Sequence, residues 1–114
     1  MEAKKIIITG AATRIGAAIA KSMANYDVKI LLHYNKSVLE VKKLKIDLEN
    51  LGAEIFLIKA DLNRSVEVKK IIPYAYKVMR GIDCLINNAS LFENDNIEKF
   101  NENGFDKHIN INLK

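Results

Sequence analysis

Residues Lys4 to Gly16 read KKIIITGAATRIG. Three consecutive β-branched residues, Ile6 to Ile8, with no polar alternation, suit a parallel strand buried on both faces. The run ends at Thr9-Gly10, and a helical pattern opens near Arg14. Strand, glycine turn and helix start, in that order, make an anion site. The first N–H groups of a helix lack intrahelical acceptors, and the helix dipole adds partial positive charge there. Gly10 permits a tight turn, and Gly16 permits the helix to pack close to the strand. A strict GxGxxG is absent: the two glycines stand six positions apart in TGAATRIG. This stretch alone is therefore either a nucleotide-phosphate turn or an ordinary strand-to-helix turn, and the rest of the chain has to decide.

Working outward, Ile15, Ala18, Ile19, Ser22 and Met23 fall at helical spacing, and Asn25 ends that pattern. Val28 to His33 reads as a second strand. Ser37 and Glu40 have the spacing of a capping box. The helix that follows places Val38, Val41, Leu44, Leu48 and Leu51 on one face, with Gly52 as its stop. Glu54 to Ala60 is a third strand, and Ser65 is the expected cap of the next helix, with Val68, Ile71, Ile72, Ala75 and Val78 inward. Pro73 predicts a kink or break near Ile72. Ile82 to Asn87 is a fourth strand. Leu91 to Asn103 is polar and asparagine-rich, as a surface loop would be, and a last helix is expected from near Gly104 or Phe105. Strands alternating with helices imply an α/β fold: a parallel, doubly wound sheet with helices on both faces. The expected extent is about four strands plus helices, one half of such a sheet, with an open edge at the fourth strand.

In a sheet of this kind ligands bind at the carboxyl ends of the strands. Those ends are Gly10 to Gly16, His33 to Ser37, Ala60 to Asn63, and Asn87 to Phe92, and each places polar residues just past an apolar run. The second end bears on cofactor type. An NAD site usually carries a carboxylate there for the ribose hydroxyls. Here the sequence is HYNKS, with no carboxylate before Glu40. Asn35, Lys36 and Ser37 offer a cation and neutral donors that suit a 2′-phosphate, so NADP(H) is expected over NAD. Asp61 either accepts from an adenine amino group or caps the next turn. Phe92 is either a core residue or a ring placed to stack on a planar substrate.

With 114 residues, 49% of them apolar and 28% charged, the chain is expected to be at most one globular domain. The formal charge of +4 is spread among acidic residues rather than gathered into a stripe with aromatics, so nucleic acid is not an expected partner. No apolar run is long enough to span a bilayer. The start shows none of the apolar stretch of a signal peptide, and the expected location is cytoplasmic. The single cysteine, Cys84, sits in an apolar run and reads as a core filler. No metal site is expected.

These residues together resemble the short-chain dehydrogenase/reductase family. The pieces that match are TGAATRIG at Thr9 to Gly16, ADL at Ala60 to Leu62, NNAS at Asn87 to Ser90 and INL at Ile111 to Leu113. Within the family the chain looks most like the pteridine-reductase branch, where an arginine replaces the middle glycine, as Arg14 does, and a His-Tyr-x-basic-Ser run follows the second strand. The resemblance implies a Rossmann-type fold and NADP(H)-dependent hydride transfer to a carbonyl or imine, with a pteridine- or dihydrofolate-like compound among the possible substrates. It implies that Gly10, Thr13, Arg14, Ile15 and Gly16 surround the pyrophosphate and that Asn35, Lys36 and Ser37 hold the 2′-phosphate. Asp61 and Leu62 flank adenine, Asn88, Ala89 and Ser90 line the path to nicotinamide, Phe92 stacks on a pterin-like substrate, and Asn112 serves the proton relay. The family's catalytic tyrosine is followed four residues later by a lysine. The tyrosines Tyr26, Tyr34, Tyr74 and Tyr76 are followed at that spacing by Ile30, Val38, Val78 and Arg80, so none matches. The expectation is that residues 1–114 are the cofactor-binding portion, that the catalytic half is absent and that this portion alone is inactive. The alternatives are a non-catalytic NADP-binding or sensing module and an inert truncated remnant. The parent family is often homo-oligomeric and acts on small molecules.

Overall fold

Five parallel strands lie in the order β3-β2-β1-β4-β5, so the first strand is central and the chain winds outward from it in both directions. The structure is a computed structural model that describes residues 3–25 and 27–88, together with the backbone of 108–110. Its strands are β1 (Lys4–Thr9), β2 (Val28–Tyr34), β3 (Glu54–Lys59), β4 (Cys84–Asn87) and β5 (His108–Asn110). Between them run the helices α1 (Arg14–Met23), α2 (Val38–Asn50), α3 (Ser65–Val68) and α4 (Ile71–Met79). This is the doubly wound α/β sheet that the sequence predicts.

Side chains alternate across the central strands, and both faces are apolar. Ile6, Ile8, Ile30, Leu32 and Ile86 face one core with Ala20, Val41, Leu44 and Leu48 of α1 and α2. Ile7, Leu31 and Leu85 face the other, with Ile71, Ile72, Ala75 and Met79 of α4. Burial on both faces explains why β1 and β2 read as unbroken apolar runs. Cys84 is buried in the first core, as a filler would be. No helix among the described residues is long and apolar enough to cross a membrane.

Several local expectations are corrected. The chain near 108–110 is a strand, not a helix: β5 pairs with β4 in register Leu85↔His108, Ile86↔Ile109 and Asn87↔Asn110. The β4 edge is therefore covered, which satisfies backbone groups that a helix there would leave exposed. Ser37 does precede α2, but its side chain makes no capping bond. Its backbone, at φ −84° and ψ 62°, lies outside the extended region from which a serine caps. Val38 and Leu51, at the ends of the predicted α2 stripe, are 38% and 51% exposed, because the sheet meets only the helix middle. Gly52, at φ 99°, does close α2: its N–H donates to the Glu49 carbonyl and that of Ala53 to Leu48. The cap of α3 is Arg64, and Ser65 is already helical. The break falls at Lys69-Lys70 rather than at Ile72, so Pro73 enters the first turn of α4, where its missing N–H costs no helical bond. The inner face of α1 is Gly16, Ala17, Ile19, Ala20 and Met23, while Ile15 is 46% exposed and Ala18 and Ser22 face outward.

Candidate functional site

The carboxyl ends of β1 to β4 are joined by side-chain hydrogen bonds into one rim. The rim starts at Gly10, whose φ of 62° needs the left-handed conformation glycine allows. Thr13 caps α1: its Oγ1 accepts from the Gly16 N–H at 3.0 Å and donates to the Gly10 carbonyl at 2.9 Å. Asn88, one residue past β4, donates through Nδ2 to the Gly10 carbonyl and to Thr13 Oγ1, both at 3.0 Å. Thr9 Oγ1 donates to Asn87 Oδ1 at 3.1 Å. The turn is thus tied to the β4 end by two neighbouring asparagines.

On the other side the tie is His33. Its Nδ1 accepts from the Gly10 N–H at 3.0 Å, and its Nε2 lies 2.9 Å from the Ala60 carbonyl oxygen. The Ala11 N–H donates to the His33 carbonyl at 2.9 Å, and the Ala60 N–H donates to that of Tyr34 at 3.0 Å. Burial pushes the His33 pKa below its ordinary value, partly opposed by the Ala60 carbonyl. Four strand ends that the sequence marks separately therefore form one structure.

Gly16 is as tightly placed as its spacing predicts. A Cβ there would overlap the Gly10 carbonyl oxygen and stand 2.9 Å from Ala11 Cα and 3.1 Å from Asn88 Nδ2. With the Thr13 and Gly16 N–H groups committed within the turn, those of Arg14 and Ile15 have no acceptor among the described residues. They are the donors left at the start of α1. Beside them a groove of about 210 Å³ runs between α1 and α2, lined by Ala12, Thr13, Arg14, Glu40, Lys43 and others. A larger cleft, about 630 Å³, lies at the opposite end of the strands, by Lys4, Met23 and Val28.

Of the remaining predicted residues, Asn35 is half-buried, and Lys36 and Ser37 are exposed just past β2. Asp61 Oδ1 accepts from the Asn63 N–H at 3.0 Å, which is the turn-capping alternative. The Asp61 N–H donates to Glu67 Oε1 at 2.9 Å, and Leu62 beside it packs against the α4 core. Ala89, Ser90, Phe92 and Asn112 lie outside the described residues. Three rim residues, Thr9, His33 and Asn87, lie in stretches that the sequence marks but have no individual site role predicted from it. The available signal is burial of polar side chains at the ends of apolar strands, since all three are buried. Among the described residues no group of three His, Cys, Asp or Glu side chains could hold a metal.

Comparison with known proteins gives the same architecture. A 3-oxoacyl-[acyl-carrier-protein] reductase of Staphylococcus epidermidis is 28% identical over 97% of this chain and 46% of its own. A short-chain dehydrogenase from Burkholderia cenocepacia, solved in complex with NADP, is 32% identical with a TM-score of 0.72, over 81% of this chain and 38% of that one. An alternative dihydrofolate reductase from Brucella suis, also in complex with NADP, is 30% identical with a TM-score of 0.68, over 79% and 36%. A NADH-dependent reductase complexed with NAD is 29% identical with a TM-score of 0.69, over 76% and 36%. The chain spans about half the length of the curated relatives it matches, 43–46%. The family model described as short chain dehydrogenase matches residues 4–114, and the chain belongs to that family.

Proposed function

We propose that this chain is the cofactor half of an NADP(H)-dependent reductase that moves a hydride between nicotinamide and a carbonyl or imine, with a pterin-like compound as the substrate class. The observation that carries the reading is the joined rim: four strand ends converge on one turn whose Arg14 and Ile15 N–H groups have no acceptor among the described residues. That donor set suits a pyrophosphate. The exposed Lys36 beside Asn35 and Ser37, with no carboxylate from His33 to Leu39, suits a 2′-phosphate. Likeness to the alternative dihydrofolate reductase supports the pterin class, and likeness to the acyl-carrier-protein reductase keeps an open-chain carbonyl in view.

When bound, the nicotinamide supplies or accepts the hydride. The roles of this chain are binding and orientation. Gly10, Thr13, Arg14, Ile15 and Gly16 surround the pyrophosphate, and Asn35, Lys36 and Ser37 take the 2′-phosphate. Asp61 and Leu62 flank adenine, and Asn88, Ala89 and Ser90 lead toward nicotinamide. Phe92 is assigned to substrate stacking and Asn112 to the proton relay. The tyrosine–lysine pair belongs to a catalytic half beyond these residues, in a cytoplasmic homo-oligomer acting on a small molecule. A second reading, a non-catalytic NADP-binding module, shares the same site; its support is that none of the four tyrosines has a lysine four residues on.

The test is fluorescence titration of NADPH and NADH into the wild-type protein and Lys36→Glu. The expected result is about a tenfold or greater loss of NADPH affinity with little change for NADH, the effect of removing one charge-assisted contact and adding repulsion. Equal losses for both cofactors would remove the 2′-phosphate assignment.

A further inference from the structure

His33 sits where three strand ends meet, and its two ring nitrogens have partners of opposite kind. A backbone N–H can only donate and a carbonyl can only accept. Nδ1 therefore takes the Gly10 proton as an acceptor, and Nε2 carries the hydrogen that goes to Ala60. Only the neutral Nε2–H tautomer makes both bonds: the imidazolium has no acceptor, and the Nδ1–H tautomer has donor and acceptor reversed. His33 is 1% exposed, and its contact with the Ala60 carbonyl is buried. The main chain of the same residue takes the Ala11 N–H at 2.9 Å. His33 thus holds the first two N–H groups of the turn, those of Gly10 and Ala11. Nothing else among the described residues holds the Gly10 N–H.

We propose that His33 is a positioning residue of the phosphate turn: its Nδ1, left bare because the Nε2 hydrogen goes to Ala60, holds the Gly10 N–H and so sets where the Arg14 and Ile15 N–H groups meet an anion. The ring does not touch the cofactor. It acts by fixing the φ 62° conformation at Gly10, from which α1 starts. This inference rests on the cofactor reading above, since the anion is the cofactor's pyrophosphate.

Two substitutions separate its two contacts. In His33→Asn, Oδ1 stands at the Nδ1 position and keeps the Gly10 bond while the Ala60 bond is lost. In His33→Gln, the amide nitrogen reaches toward Ala60 and no acceptor remains near Gly10. Both remove the ring from the core, so a role in packing alone lowers stability in both and separates neither by affinity. NADPH dissociation constants are measured on the protein as its source makes it, at a temperature where each variant is fully folded. The expected result is His33→Asn within about threefold of wild type and His33→Gln weaker by about tenfold, the size of one unmade bond to a part-buried donor. The ring ¹⁵N spectrum of the wild type supplies an independent reading, with Nε2 protonated and Nδ1 bare at neutral pH. Equal affinities in the two variants, a tenfold loss in His33→Asn, or a protonated Nδ1 each overturn the proposal. If His33→Gln does not fold, His33→Asn and the spectrum decide by the same criteria. A wild type that binds NADPH while the variants do not differ sinks this inference alone, whereas a wild type that binds no NADPH sinks the functional reading and the inference with it.

Discussion

At the scale of residues, the site is held together by polar side chains buried at strand ends. Burial lowers the His33 pKa, so the folded chain binds this proton less readily than the unfolded chain does. The sign follows from linkage: where the unfolded state holds more protons, stability rises with pH. The His33 contribution is thus complete above the unfolded imidazole pKa of about 6.5 and is lost as pH falls from there through the lower folded value. Below the folded value both states are protonated and the loss stops. The expected outcome is a denaturant midpoint that falls on acidification below about pH 6.5, with the slope reduced in His33→Asn, which cannot titrate. An unchanged slope in the variant assigns the acid sensitivity to other groups. Gly10 and Gly16 are legible in the sequence because turn and helix-packing chemistry demand particular residues at fixed spacing, and Asn88 is legible through the NNAS stretch that resembles the family's. His33 and Asn87 are legible only as the first residues of two marked strand ends, and Thr9 only as the end of its strand, since the bonds each makes depend on a partner on a neighbouring strand and the strand order has to be known first.

Elements are legible where their pattern is long and dense, and less so at their ends. The isoleucine and leucine runs of β1 and β2 and the spaced leucines of α2 leave no competing period, and the structure has all three. Caps depend on backbone angles that residue identity only biases, which is why Ser37 and Ser65 precede or enter helices without capping them. The rotation of α1 has a steric cause: Gly16 and Ala20 are small, so the helix settles on that side, and the larger Ile15 is turned outward. Replacing Gly16 by alanine pushes a methyl into the Gly10 carbonyl and Ala11 Cα, both main-chain atoms with little room to yield. Forced overpacking of this kind costs about 2 kcal/mol or more, so chemical denaturation of Gly16→Ala is expected to show that loss together with weakened NADPH binding. A variant as stable as wild type that binds equally well would mean that α1 does not seat on the turn as described. The strand at 108–110 is the element least legible in the sequence, since HIN is too short to show any period, and it is placed by pairing with β4 alone.

At the scale of the molecule, the strand order places β1 centrally, and the turn from Gly10 to Gly16 therefore stands between the ends of β2 and β4. The sheet accounts for the residues assigned to the adenosine and pyrophosphate part of the cofactor. The chain spans about half the length of its curated relatives, 43–46%, and carries no tyrosine followed by a lysine four residues on. The part of NADP(H) that these residues would hold is thus the adenosine end, and a ligand reduced to that end isolates them from the rest of the protein. The most direct measurement is calorimetric titration of adenosine 2′,5′-bisphosphate against adenosine 5′-monophosphate, with the protein as its source makes it. Preference for the 2′-phosphate by about tenfold or more, near 1.4 kcal/mol, is the result predicted by a site built on Lys36, Ser37 and the turn from Gly10 to Gly16. Equal affinity, or a preference for the 5′-monophosphate, would contradict the assignment of this chain as an NADP(H) half.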